Sequence, residues 1–449
     1  MNSLSPKSGV DSLQIGEEMH RWMGELFPIC RSITGHGLRE TLRLIQKRIP
    51  VTIHEVPSGT KVFDWTVPSE WNIQDAYIKN LRGERIVDFL KCNLHVVSYS
   101  QPVKQRLSLA ELKQHLFTIP DRPDWIPYRT SYYKESWGFC LSHNQFLQLK
   151  DEEYDVCIDA SLIEGNLTYG EYCLQGQMQD EVLISTHVCH PSLCNDNLSG
   201  IAVATFLADW LCSQPRRYSY RVLFIPGTIG SITWLSQHRQ QAARIKHGLV
   251  LTGVGDAGPI TYKKSRRGDA EIDRAMAHLL KHSGTPYSIC DFIPYGYDER
   301  QYCSPGFNLA VGCFSRTPHS QYPEYHTSAD NLDFIKPMAL AESLRCCQEA
   351  LEILESNKTY LNQNPHCEPQ LGKRGLYRAV GGQAGEKSME MALLWALNLS
   401  DGHHAVLDIA ERANLPFHRI HTAAEALVEA GLLQETRKTQ GEPIKESAL

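Results

Sequence analysis

Residues 181–200 read EVLISTHVCHPSLCNDNLSG, and the architecture of the chain is decided by how this stretch is understood. It opens on a β-type run, 182–186, and then sets His187, His190 and Asp196 within ten residues of polar, turn-rich sequence. Imidazole and carboxylate are donors that zinc accepts, and the carboxyl end of a strand is where an open α/β sheet carries its chemistry. Residues 201–212 are strongly apolar and read as a helix that anchors the loop. Asn197, Ser199 and Gly200 mark the helix entry, with a residue lacking a side chain where strand and helix backbones must come close. Two histidines and an aspartate at this spacing also arise by chance, so a second segment matters. Residues 322–330, YPEYHTSAD, place His326 in a polar loop after another apolar strand, 308–314. Two distant loops that each offer His and carboxylate can meet at one end of a sheet.

Working outward, the chain from about residue 166 alternates apolar strands with helical runs: 182–186, 201–212, 221–226, a helix around Trp234, 249–252, and a helix over 271–281. This alternation predicts an α/β fold with a mainly parallel sheet flanked by helices on both faces. Residues 13–27 show helical spacing and lead into a second helix through Ile45, after a polar stretch, 1–14, expected to be disordered. The two helices and the βα run form one domain, 1–50 and 166–365. Residues 51–165 change character to Val, Ile, Tyr, Trp and Pro with short strand-like runs, which predicts an inserted β-rich domain. After a helix over 336–355, the stretch 357–375 reads as a linker rich in Asn, Pro and Gly. Residues 366–449 then give helix, turn, helix and a short strand, the order of a winged helix.

Composition narrows the function classes. With 449 residues there is room for several domains and a large core. A net charge of −6 argues against a general nucleic-acid binder, and acidic residues slightly outnumber basic ones from Glu368 onward, so the winged helix reads as a packing or oligomerisation module. The 14 cysteines are scattered through apolar strands, and neither a signal segment nor a membrane-length apolar run is present, which predicts a reduced, cytoplasmic protein without a membrane partner. A homo-oligomer stays open.

Several groups outside the His/Asp loops are candidates for substrate contact. Tyr128 to Tyr133 with Trp137 to Cys140 is the densest aromatic cluster, read either as a satellite core or as a cleft wall into which Arg129 or Glu135 reaches. Tyr297, Asp298, Glu299 and Arg300 sit one strand before His326 and are read either as substrate contacts or as plain capping and turn residues. The run Ser265 to Gly268, SRRG, is solvated charge or an anion contact.

The string Asp196-Asn197-Leu198-Ser199-Gly200 after His187, with Tyr325-His326-Thr327 and Asp330 far downstream, resembles the zinc aminopeptidases of the bacterial leucyl-aminopeptidase type. LFPICRSITGHGLRETL, VFDWTVPSEWNI, IPYRTSYYKESWGFCLSH, THVCHPSLCNDNLSG, SRRGDAEIDR and PEYHTSADNLDF are similar to a bacterial aminopeptidase-like group associated with polysaccharide or natural-product biosynthesis. The resemblance implies a zinc exopeptidase-like fold and metal ligation by His187, Asp196 and His326. It also implies a Glu pair after the next strand, one base and one ligand, where this chain has Gly227 and Thr228, and a ligand Asp where it has Gly253, with Asp256 nearby. One zinc per chain is therefore expected, held by His187 or His190 with Asp196 and His326, and acting on a peptide or a small-molecule amide. The deacylase of a small N-acyl compound and the non-hydrolytic binding or regulatory protein are the alternatives. A base is still required. Glu324, two residues before His326 in a segment expected to be extended, is the first candidate and Glu299 the second.

Overall fold

Strand Glu181–His187 is buried along its whole length and lies inside an eight-stranded sheet. A computed structural model of the chain describes residues 9–376 and 384–436. The order across the large sheet is Thr52–Pro57, Asn166–Leu174, Ser219–Ile225, Glu181–His187, Ile245–Leu251, Val311–Ser315, Ile260–Lys263 and Tyr287–Cys290. The four central strands are parallel, while Thr52–Pro57, Asn166–Leu174 and the pairing of Ile260–Lys263 with Val311–Ser315 are antiparallel. Strands covered on both faces need apolar side chains on both, which is why the central runs are continuous rather than alternating. Thr52–Pro57, which the sequence boundary at residue 51 put in the insertion, pairs with Asn166–Leu174 at the sheet edge. Its half-exposed pattern is that of an edge strand and says nothing of which sheet it joins.

Helix Ser199–Cys212 returns along the sheet with nearly every residue buried. Its entry is tight. A Cβ on Gly200 would lie 2.6 Å from the Leu251 carbonyl oxygen and 2.4 Å from Asn197 Oδ1, so the glycine is what lets this helix approach the neighbouring strand. Helix Gly9–Leu26 begins earlier than the periodicity indicates, and the first eight residues of the stretch expected to be disordered lie outside the described residues.

The insertion forms its own four-stranded antiparallel sheet, in the order Arg85–Asp88, Glu70–Lys79, Glu153–Ile163 and Val103–Ser108. Ala76, Ile78, Val156, Ile158, Phe139 and Leu141 build its core, so part of the aromatic cluster is satellite core.

Residues 274–285 and the described residues from 348 onward group as a second compact unit. Helices Ala384–Leu399, Val406–Ala413 and Phe417–Glu429 accompany a three-stranded antiparallel sheet ordered Asp401–Ala405, Thr359–Asn362, Leu433–Glu435. Thr359–Asn362 falls within the expected linker, yet it is the middle strand of this sheet. Within the unit, Arg274 pairs with Asp408 and Glu411.

Gly200→Ala should lower stability by about 1–3 kcal/mol, because the methyl meets backbone that cannot move aside. Gly306→Ala is the control, since nothing lies within 4 Å of its Cβ position. Thermal melting of the two variants checks this: only the first should melt earlier.

Candidate metal centre

Strand Glu181–His187 ends by aiming His187 Nε2 at Asp196 Oδ1, 2.8 Å away. The other oxygen, Oδ2, lies 2.9 Å from His326 Nε2 and 3.7 Å from His190 Nε2. Three imidazoles from two distant loops thus surround one carboxylate, and the donor atoms of His187, His190 and Asp196 all lie within 4.8 Å of one another. Side-chain exposure is 0 % for Asp196, 2 % for His187, 16 % for His190 and 33 % for His326, so the cluster is reached from the His326 side.

The loop is fixed from four directions. Asn197 Nδ2 donates to Thr186 Oγ1 at 2.8 Å and to the His187 carbonyl at 3.1 Å, tying the loop back to the strand that precedes it. Asp330 accepts from the backbone N–H of Asn195 at 2.6 Å and of Asp196 at 3.0 Å. Asn195 Nδ2 donates to Asp256 at 2.9 Å. Arg31, almost wholly buried, donates to the carbonyls of His190 at 2.7 Å, Pro191 at 3.2 Å and Leu26 at 2.6 Å. Burial pulls its guanidinium down to about 10, still charged near neutrality.

Aromatic rings line the cluster. Tyr128 stands 5.3 Å from His190 and 5.1 Å from His326, ring centre to ring centre, and its hydroxyl meets that of Tyr132 at 3.1 Å. Tyr297 stacks on His187 at 5.3 Å, and Tyr325 on His326 at 4.0 Å. The inserted segment reaches this place by pairing with the late loop: Tyr128 N–H donates to the His326 carbonyl and Ser328 N–H to that of Ile126.

Most other sequence candidates lie away from the cluster, while Asp298 and Arg300 stand at the Thr228 turn. Arg129 is exposed with its guanidinium over the Phe117 ring, because successive residues of an extended segment point to opposite sides and Tyr128 takes the inner one. Glu135 is exposed. Glu299 is fully buried and committed to an ion pair with Lys263. Arg300 donates to Thr228 Oγ1 at 3.0 Å, and Asp298 accepts from Thr228 N–H and Ser231 Oγ, both at 2.7 Å. Glu324 lies in a turn, not the expected extended run, and the chain reaches His326 in the left-handed region at φ 55°, so the alternation argument does not apply to it. Asp256 is occupied by Asn195, Thr317 and Gly258. Arg266 and Arg267 both bond Asn308, which favours the structural alternative for that run.

Tyr128, Tyr325, Arg31 and Asp330 were the members that residue types alone did not single out as site groups. For Tyr128 the signal was its place in the aromatic cluster, and for Asp330 its closeness in sequence to His326.

Burial and mutual contacts set the charge of the cluster. Burial drives the Asp196 carboxyl up, but the field of His190 and the bonds from His187 and His326 outweigh it and hold the group well below the carboxylate range. Burial brings His190 down to about 3 against the pull of Asp196, which leaves a neutral imidazole near neutrality. Burial lifts Asp330 to about 7, opposed by the two backbone N–H groups. A carboxylate facing imidazole nitrogens is a donor set that zinc takes, so His187, His190, Asp196 and His326 fit such an ion.

Residues 20–357 match the family described as domain of unknown function DUF4910, and residues 358–435 a winged helix-turn-helix. A Clostridium acetobutylicum protein, provisionally named a polysaccharide biosynthesis protein with aminopeptidase-like domain, is 53 % identical over 424 residues, covering 94 % of this chain and 98 % of its own. A crystal structure from the same organism, provisionally called a peptidase, superposes with a TM-score of 0.91 at 52 % identity, covering 95 % of this chain and 98 % of the other. The zinc aminopeptidase of Bacillus subtilis superposes with a TM-score of 0.55 at 14 % identity over 79 % of this chain and 96 % of its own, a likeness of fold.

Arg31→Met should leave buried carbonyls without a donor and cost about 1–3 kcal/mol. Chemical denaturation checks the size of the loss.

Proposed function

The chain belongs to the DUF4910 family, and from that membership and the His/Asp centre we propose that it is a zinc-dependent hydrolase of a peptide or small amide bond. The observation that carries the reading is the convergence of His187, His190 and His326 on the buried carboxylate of Asp196, at the carboxyl end of a central parallel strand. The fold it shares with a zinc aminopeptidase supports the hydrolase class. The name of the clostridial relative supports a place in polysaccharide biosynthesis, and the reduced cysteines expected from the sequence support a cytoplasmic site of action.

His187, Asp196 and His326 would hold the ion, with His190 either completing the set or standing beside it. Zinc supplies Lewis acidity toward a carbonyl oxygen and lowers the pKa of a water it binds. The chain supplies the rest. Asp330 and Asn197 keep the Asp196 loop rigid, so that donor positions do not relax when substrate enters. Tyr128 and Tyr325 flank His326, the most exposed member, and form apolar walls against which a substrate is oriented and water excluded. Deacylation of a small N-acyl compound would use the same centre. Gly227, where the aminopeptidases carry a Glu, is the observation that favours a non-hydrolytic binding protein.

The purified protein should carry about one transition metal per chain and hydrolyse at least one member of a panel of aminoacyl amides and N-acyl amines. Asp196→Ala and His326→Ala should lose both metal and activity. Full metal content in both variants would contradict the ligand assignment, and a metal-loaded protein inert on the whole panel would favour the binding reading.

The winged helix is read as a packing or oligomerisation module. At physiological ionic strength a fluorescence-anisotropy titration with duplex DNA should show no salt-sensitive binding, since the segment lacks the basic excess that counterion release needs. Sequence-specific binding would promote the regulator alternative.

A further inference from the structure

The turn after strand Ser219–Ile225 is where the aminopeptidases carry their Glu pair, and beside His187 it offers only backbone here. A Cβ on Gly227 would stand 3.4 Å from Cys189 Sγ and 3.6 Å from His187 Cβ, so this turn packs against the base of the His187 side chain. The next residue, Thr228, is β-branched and adopts φ 64°, ψ −71°, a conformation such residues avoid. Two side chains from beyond residue 297 grip it: Asp298 through the Thr228 N–H and Arg300 through Oγ1.

Asp298 is 2 % exposed and precedes helix Glu299–Tyr302, yet it makes no capping bond to that helix. Its Oδ1 takes two bonds, from Thr228 N–H and Ser231 Oγ, whereas Oδ2 accepts none among the described residues. The preceding residue, Tyr297, lies flat on the His187 ring. A carboxylate has therefore been brought from a distant element to the turn that lacks one, with one oxygen anchored and the other uncommitted.

We propose that Asp298 is the proton acceptor of the hydrolysis, in the role that the Glu at this turn has in the aminopeptidases. The inference rests on the hydrolase reading. As the attacking water forms its bond to the carbonyl carbon, one O–H bond breaks and the proton passes to Asp298 Oδ2. When the C–N bond breaks, the same proton goes to the departing amine nitrogen, so that amide and water become acid and amine with Asp298 restored. Glu299 is held by Lys263 and does not compete. The titratable and charged groups acting on Asp298 are His187, Cys189, Glu299, Arg300, Tyr302 and Cys313. Burial raises its carboxyl above the ordinary value, opposed by His187, Ser231, the Thr228 N–H and Arg300.

The test is Asp298→Asn, which keeps Oδ1 as acceptor for Thr228 and Ser231 and replaces only Oδ2 by an amide NH2. Two readouts are taken on protein reloaded with cobalt(II): turnover on the amide panel, and the pH titration of the visible spectrum, which needs no catalysis. Metal content and melting temperature should stay at wild-type values. Turnover should fall at least about a hundredfold, the scale of a general base, and the spectral midpoint should move by about one pH unit or more. A wild-type midpoint in the variant overturns the proposal, as does undiminished turnover or a hundredfold loss that falls on Glu324→Gln instead. Wild-type protein without turnover on any substrate counts against the hydrolase reading and with it against Asp298 as proton acceptor, whereas an active wild type with an equally active Asp298→Asn variant counts against Asp298 alone.

Discussion

The carboxylate of Asp196 is ionised and has no exposure to water, and the centre is arranged around that fact. Taking such a group out of solvent costs several kcal/mol unless its oxygens are matched. His187 and His326 match one oxygen each, and His190 adds its field from 3.7 Å. A second buried carboxylate, Asp330, bonds the backbone of the same loop, so two acidic groups share one interior. The cation proposed at the cluster would balance that charge.

The insertion contributes more than a separate sheet. Its segment around Tyr128 exchanges backbone bonds with the loop of His326, and the ring of Tyr128 then lies against both His190 and His326. From beneath, Arg31 grips the carbonyls on the other side of the His190 loop. Elements from the first helical region, the insertion, the central strand and the late loop therefore meet at one place. Removing any of them would loosen the same few donor atoms, which is the dependence expected where ligand positions are set by surrounding bonds rather than by the ligands themselves.

Much of this was legible because it is local. His187, His190 and Asp196 lie in one short stretch behind a strand whose apolar run is unbroken, and the buried parallel sheet demands that pattern. What failed were judgements about direction and non-local pairing. Tyr128 and Arg129 are adjacent and only extended-chain alternation decides which faces inward. Asp298 and Glu299 are likewise adjacent, but one reaches Thr228 while the other pairs with Lys263. Strand periodicity does not reach Glu324, whose segment turns. Thr52–Pro57 is a short strand whose partner lies more than a hundred residues away, and Thr359–Asn362 one whose two partners lie about forty and about seventy residues away, and a short run carries no mark of its partner. Glycine at 227 told only what was missing there; the carboxylate standing at that turn comes from a residue about seventy positions on.

X-ray absorption spectroscopy at the metal edge of the protein as isolated is the most direct test of the centre. The account predicts a shell of nitrogen and oxygen donors alone, with the outer-shell scattering of imidazole rings. A sulfur scatterer at about 2.3 Å would contradict it, because the ion would then be held by Cys189 or Cys194 instead of by the His/Asp cluster.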